Sequence, residues 1–310
     1  MQYTTLGRSG LRVSRVGLGC GGPSRLGQSQ GHSADDSKRV IQRALELGVT
    51  LFDTAESYRT EALLGEALAE AGASERVVVS TKKGVWDWDR KQLCTPREML
   101  AGIDASLGRL RRERIEIFHL HGLELEHVDY ALRELVPALR EAQARGKILH
   151  LAVSEAFSGD TTHRMFQRVL PEDLFDVVMV GFNLLNPSAR QSVLPLTREH
   201  RVGTLIMFAV RRALTNMAHL RTILDALIAE GKLAPHVLDK DAPLGFLGDV
   251  RDAAYRFCSH EPGADVVLTG TGSVAHLEEN LKSLAGPPLP VEQRERLAQL
   301  FGQIDSVSGN

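Results

Sequence analysis

Eight short apolar runs rich in Val, Ile and Leu punctuate the chain: VGLG (16–19), TLFDT (50–54), VVVSTK (77–82), IEIFHLH (115–121), ILHLAVS (148–154), VVMVGFN (177–183), GTLIMFAV (203–210) and DVVLTG (265–270). Runs of this length, bounded by turn residues, predict buried strands. The stretches between them carry helical periodicity. Ser33-x-x-Asp36 predicts a capping box ahead of Val40, Ile41, Ala44, Leu45 and Leu47, with Gly48 as the stop. Thr95-Pro96-Arg97-Glu98 places a cap, an N1 proline and an N3 glutamate ahead of Met99, Ile103, Leu107 and Leu110. Further helices are predicted around 59–71, 137–145, 160–170, 187–200, 249–260 and 274–285, with an extra terminal helix from Val291 to Ile304. Residues 211–248 show too little regular pattern for their shape to be inferred.

Strands alternating with helices over short connections imply parallel strands joined by right-handed crossovers. Eight such units close most simply as one α/β domain over residues 1–310, a (β/α)8 TIM barrel. QYTTLG and LRVS, around Arg8-Ser9-Gly10, predict a small N-terminal hairpin that closes its bottom. An open doubly wound sheet is the alternative, and Gly17, Gly19 and Gly22 bear on it because they match G-x-G-x-x-G. In the dinucleotide fingerprint those glycines open a helix directly, and a carboxylate follows about twenty residues later. Here Pro23 and a polar loop delay the helix to about Asp35, and Asp53 comes too late. The match reads as accidental; its glycines let the first βα loop approach a ligand closely.

The composition, 43% hydrophobic and 25% charged with a formal charge of -2 over 310 residues, is that of an ordinary globular protein. It offers no basic excess for nucleic acid or anionic lipid. No segment approaches the ~18 unbroken apolar residues of a membrane span, and no basic region precedes a long apolar run, so the expectation is a cytoplasmic protein. Three cysteines at wide spacing, with no CxxC pair, suggest neither a disulfide framework nor a thiolate metal site. No neighbouring cation in the sequence activates Cys20.

In a barrel the C-terminal strand ends converge on one site. Asp53 ends the second predicted strand, Tyr58 follows in its loop, Lys82 ends the third and His121 the fourth. Alone, a strand-end Asp is an ordinary cap and a lone His an ordinary packing residue. Together they form a proton donor. A free tyrosine has a pKa of about 10; a neighbouring ammonium lowers it, and Asp53 keeps that ammonium charged. His121 is placed to hydrogen-bond the substrate oxygen or to relay a proton. Such an acid suits an oxygen that gains negative charge, as a carbonyl does on receiving hydride.

These residues sit in segments that resemble the aldo-keto reductase family over nearly the whole chain: LGRSGLRVSRVGLG, GVTLFDTAESYRTEALLGEAL, VVVSTK, RIEIFHLH, GKILHLAVS and LTGTGSVAHLEENL. The resemblance implies a barrel without a Rossmann domain that binds NADP(H), or else NAD(H), across its strand ends. It implies Tyr58 as general acid, with Lys82, Asp53 and His121 completing a tetrad, and a small carbonyl or alcohol as substrate. Gly19 and Cys20 would lie beside the cofactor; Ser154, Glu155 and Met179 would meet the nicotinamide carboxamide, and Phe208 would stack on its ring. Arg211 and Arg212 would take the pyrophosphate. Gly270, Thr271, Gly272 and Ser273 would hold the adenosine phosphate, with His276 beside it and Asn280 reaching the adenine. Trp86 and Trp88 would form an apolar substrate wall with Tyr58 and His121.

The chain departs from the family's pattern at several of these positions. Glu155 stands where the family has Asn and Met179 where it has Gln, which removes donors from the carboxamide site. Gly270 and His276 replace the usual Lys and Arg, which reduces charge for a 2′-phosphate, and Arg59 replaces the glycine after the tyrosine. A cofactor-binding regulatory or interaction protein with little turnover is therefore the second reading, and a Schiff-base enzyme built on Lys82 the third. His119 and His121 also form an HxH pair, without further ligands beside them, so no metal is expected. Oligomeric state is not legible.

Overall fold

The computed structural model describes the chain apart from residues 237 and 240. Eight parallel strands pair in chain order: β1 (Val16–Gly19), β2 (Leu51–Asp53), β3 (Val78–Gly84), β4 (Ile115–Leu123), β5 (Ile148–Glu155), β6 (Val177–Gly181), β7 (Gly203–Met207) and β8 (Val266–Thr269). β8 returns to β1, with Val267 opposite Val16, and closes the barrel. The open-sheet alternative is thereby excluded. Gly17 and Gly19 lie within β1, and the first α-helix starts only at Ala34.

Alternation along each strand points one set of side chains inward. Leu51, Val78, Ile117, Ala152, Val177, Met179, Leu205 and Val266 form an interior cluster with Leu6 and Val13. Val13 belongs to the N-terminal ribbon formed by Tyr3–Thr5 and Arg12–Ser14, and Leu6 directly follows its first strand, so the ribbon plugs the bottom as predicted. Outward-facing strand residues and the helices' apolar faces form the larger core, in which Val40, Ile41, Met99 and Ile103 take part. Both capping boxes are present: Ser33 and Asp36 open the helix Ala34–Glu46, Thr95 and Glu98 the helix Pro96–Leu110. Each satisfies backbone donors that a helix start leaves free.

Two predictions need correction. The stretch 187–200 is broken at Val193 into Ala189–Ser192 and Leu194–Glu199, with Pro195 in the first turn of the second piece. Within 211–248 lies a helix, Met217–Ala229, capped by the Asn216 side chain accepting from His219 N–H. Its Leu220, Leu224 and Leu227 pack in a separate cluster with Leu297, Leu300 and Phe301 of the terminal helix Val291–Phe301. No helix among the described residues is long and apolar enough to cross a membrane.

Two glycines near one helix–helix contact have opposite expected behaviour. A Cβ on Gly65, in the helix Glu61–Glu70, would stand 2.5 Å from the Leu110 carbonyl group, whereas one on Gly108 would meet nothing within 4 Å. Gly65→Ala is expected to cost about 1–3 kcal/mol by overpacking. Gly108→Ala is expected to gain up to about 1 kcal/mol from helix propensity. Urea denaturation of both variants checks this, and equal effects would contradict the close helix contact.

Candidate active site

Strand register assembles the site. Asp53, last in β2, is paired with Ser80 of β3; two residues on, Lys82 is paired with His119 of β4 and Gly84 with His121. Ser80 and Lys82 point inward, while Thr81 and Lys83 point outward and bond Glu61 (2.6 Å) and Glu56 (2.6 Å). The fully buried Lys82 donates to Asp53 Oδ1 at 2.7 Å, Asp53 Oδ2 at 2.6 Å and the Thr54 carbonyl at 2.7 Å. Burial works most strongly against the Lys82 ammonium, but Asp53 and Tyr58 together hold its pKa above the ordinary value. Burial also pushes the Asp53 carboxyl up, against the pull of Lys82 and Ser80.

Tyr58 ends a 3-10 turn, Glu56–Tyr58, closed by Arg59 in the left-handed region at φ 60°. Arg59 thus adopts a conformation that glycine takes more easily. The Tyr58 hydroxyl lies 3.4 Å from His121 Nε2, and Lys82 Nζ lies 4.9 Å from the centre of the phenol ring. A Cβ on Gly21 would stand 2.3 Å from that ring, so Gly21 makes room for the tyrosine. Sequence reasoning missed this role, although the unbroken Gly21-Gly22 pair was its signal. Burial raises the Tyr58 pKa and Lys82 draws it back only in part. The expected net lowering is therefore corrected: the phenol is held protonated.

β4 is irregular between Leu120 and Leu123, where Gly122 has φ 60° and its N–H donates to Ser154 Oγ at 2.9 Å. Such bulges re-aim neighbouring side chains. His121 meets the Tyr58 ring edge-on, with centroids 5.5 Å apart. Burial, aided by Lys82, pulls the His121 pKa down to about 3, so the imidazole is neutral near pH 7.

A cleft of about 530 Å³ opens beside Tyr58. It brings together Gly19, Asp53, Tyr58, Met179, Phe208, Arg211, Arg212, Gly270, Thr271, His276 and Asn280 among the residues singled out from sequence. Gly22, one of the glycines expected to let the first loop approach a ligand, also lines it, and Gly21, Arg251, Tyr255 and Thr269, which were not foreseen, join them. Arg211 lies over the Phe208 ring, 3.8 Å from its centroid, and its buried Nη1 has no hydrogen-bond partner. Burial pulls its pKa down to about 10, leaving it a cation near neutrality. Phe208, at φ 68°, also stacks on Phe157 at 6.1 Å. The residues expected to serve the nicotinamide and the pyrophosphate therefore lie on each other. At the far end Thr269 Oγ1 accepts from Asn280 Nδ2 (2.9 Å) and meets the Tyr255 hydroxyl (2.8 Å).

Other expected contacts are not brought to the cleft. Glu155 is buried, with Oε1 accepting from Gly181 N–H at 2.6 Å and Oε2 paired with His163 Nδ1 at 2.8 Å. Both oxygens are engaged inside the protein, which corrects its assignment to the carboxamide. The Ser154 hydroxyl is engaged by Gly122. Cys20 is buried, and that burial pushes its thiol pKa up. Ser273 caps the helix Val274–Leu284, while Gly272 admits the backbone of Gly27: a Cβ there would stand 2.3 Å from Gly27 Cα. Trp86 stacks on His127 with centroids 5.3 Å apart and Trp88 is 73% exposed; neither lines the cleft.

A model of the Aldo/keto reductase family matches residues 17–223. The chain is similar to Aldo-keto reductase YhdN of Bacillus subtilis, 26% identical over 95% of this chain and 92% of that one. It is likewise 26% identical to L-glyceraldehyde 3-phosphate reductase of Escherichia coli O157:H7, over 96% and 92% of the two chains. Among solved structures, the holo form of aldo-keto reductase AKR11C1 from Bacillus halodurans superposes with a TM-score of 0.74 at 22% identity, covering 97% of this chain and 96% of that one. That likeness shows the shared fold.

The neutral state of His121 has a measurable consequence. Its folded pKa of about 3 lies below the ordinary value of about 6.5, so its protonation favours unfolding as pH falls below about 6.5. An imidazole NMR titration, with His121→Gln for assignment, is expected to show no His121 protonation between about pH 8 and 5. A midpoint near 6.5 would contradict the buried, Lys82-facing environment.

Proposed function

The chain belongs to the aldo/keto reductase family, and on that premise we propose that it reduces an aldehyde or ketone, or oxidises the corresponding alcohol, using a nicotinamide cofactor and Tyr58 as general acid. Membership implies an oxidoreductase of carbonyl or alcohol substrates. The observation that carries the finer reading is the meeting of Tyr58, Lys82, Asp53 and His121 at one strand-end mouth that opens into the cleft.

The cleft fits a nicotinamide dinucleotide. Gly19, Gly22 and Gly270 line it without side chains, and Arg211 brings a cation with an unpartnered buried nitrogen, suited to a pyrophosphate. Arg212 and Arg251 line the same cleft and favour NADP(H) over NAD(H). When bound, the nicotinamide supplies or accepts the hydride. Tyr58 holds the proton that the carbonyl oxygen takes up. Lys82 is placed to stabilise the phenolate left behind, and Asp53 keeps Lys82 charged and oriented. The neutral His121, beside the hydroxyl, hydrogen-bonds the substrate oxygen.

Titration of the purified protein with NADPH and NADH, followed by tryptophan fluorescence, is expected to show saturable binding in the micromolar range. Tyr58→Phe is expected to keep that binding while lowering carbonyl turnover by about 10²–10⁴-fold. Failure of the folded protein to bind either cofactor would overturn the proposal. Tight binding with no turnover of any carbonyl would favour a regulatory role.

A further inference from the structure

Behind the Asp53–Lys82 pair lies a second buried polar group that the mechanism above does not use. Ser80 Oγ is 2.8 Å from Asp53 Oδ1 and 3.0 Å from His119 Nε2, and all four residues are buried. The protons can be assigned by counting donors. An Asp53 carboxylate only accepts, so the single Ser80 proton goes to Oδ1. Ser80 must then accept from His119, which fixes the proton on Nε2 and leaves Nδ1 bare. His119 Nδ1 indeed has no hydrogen-bond partner. A second proton on this ring would place a buried charge close to Lys82; burial, with Lys82 and His121, holds the His119 pKa far below the ordinary value against the opposing pull of the Val153 backbone.

Lys82 shows why this chain matters. Its ammonium has three protons, and three acceptors stand within 2.6–2.7 Å: both Asp53 oxygens and the Thr54 carbonyl. The Tyr58 hydroxyl beside the same ammonium is a fourth acceptor, which competes for three protons. Because Ser80 also donates to Oδ1, the Lys82 proton shared with that oxygen can turn toward the phenol without leaving Oδ1 bare. We propose that Ser80 and His119 are positioning residues whose directed chain, His119 Nε2–H to Ser80 Oγ–H to Asp53 Oδ1, frees a Lys82 proton to stabilise the Tyr58 phenolate. The groups that face Tyr58 are Asp53 from β2, Lys82 from β3, His121 from β4 and Cys20 after β1; the chain acts on it through the first two. This inference rests on the reductase reading only for its kinetic consequence, since the proton arrangement exists without any ligand.

Two measurements on the whole protein test it. Nitrogen-15 NMR of the histidine rings, with a His119 variant for assignment, is expected to show His119 as the neutral Nε2–H tautomer at pH 7, and mixed tautomers in Ser80→Ala. A charged ring, or a proton on Nδ1, would overturn the chain whether or not the protein turns over a carbonyl. In the kinetic arm, Ser80→Ala is expected to lower kcat about 3–10-fold with KM unchanged and to move the alkaline limb of reduction to higher pH. Ser80→Thr, which keeps the hydroxyl, is expected to restore both. Unchanged kcat in Ser80→Ala, or a loss shared by Ser80→Thr, would overturn the proposal. An inert wild type would instead defeat the reductase reading, with the tautomer still deciding the chain.

Discussion

The contact between Asp53 and Lys82 is the constraint on which the mouth of the barrel depends. Two opposite charges sit in a region that excludes water, held by short bonds that leave neither without a partner. Taking both out of water is costly, and their attraction offsets that cost only with good geometry and full hydrogen bonding. The barrel supplies that geometry by register: adjacent strands carry Asp53 and Ser80 side by side, and alternation returns Lys82 to the same inner face. The pair then acts on Tyr58, where burial favours the neutral phenol and the ammonium limits how far.

Small departures from ideal structure complete the arrangement. A missing side chain at Gly21 admits the phenol, a left-handed Arg59 closes its turn, and an irregularity at Gly122 re-aims β4 at His121. Each is local and costs something on its own, yet together they converge on one hydroxyl. On the other side of the cleft, Phe157, Phe208 and Arg211 form a stacked series that holds at the wall a cation whose Nη1 has no hydrogen-bond partner.

Much of the fold was legible because its signals are local. The Ser33/Asp36 and Thr95/Glu98 capping boxes, the eight apolar runs and the N-terminal ribbon each announce themselves within a few residues. That Asp53, Tyr58, Lys82 and His121 would meet was legible for the same reason, since strand ends in a barrel share one face. The helix Met217–Ala229 was missed despite its Asn216 cap and the spacing of Leu220, Leu224 and Leu227, because it adds a second helix between β7 and β8 and packs on a satellite cluster. Glu155 was misplaced for a different reason. Its partner His163 stands in a left-handed conformation that no pattern foretells, and the pair turns the carboxylate away from the cleft. Net pKa directions were equally out of reach: the attraction of Lys82 for Tyr58 can be read from residue types, but the burial that outweighs it cannot.

The central claim is that the Asp53–Lys82 pair is kept for its effect on Tyr58 and contributes little to stability. A double-mutant cycle by chemical denaturation, using Lys82→Met, Asp53→Leu and both together, tests it most directly. Each single change leaves a buried partner uncompensated and is predicted to cost about 3–5 kcal/mol. The double variant is predicted to lie within about 1 kcal/mol of the wild type or above it, folded and without turnover. A double variant destabilised by the sum of the single costs would contradict the account and make the pair a structural element of the barrel.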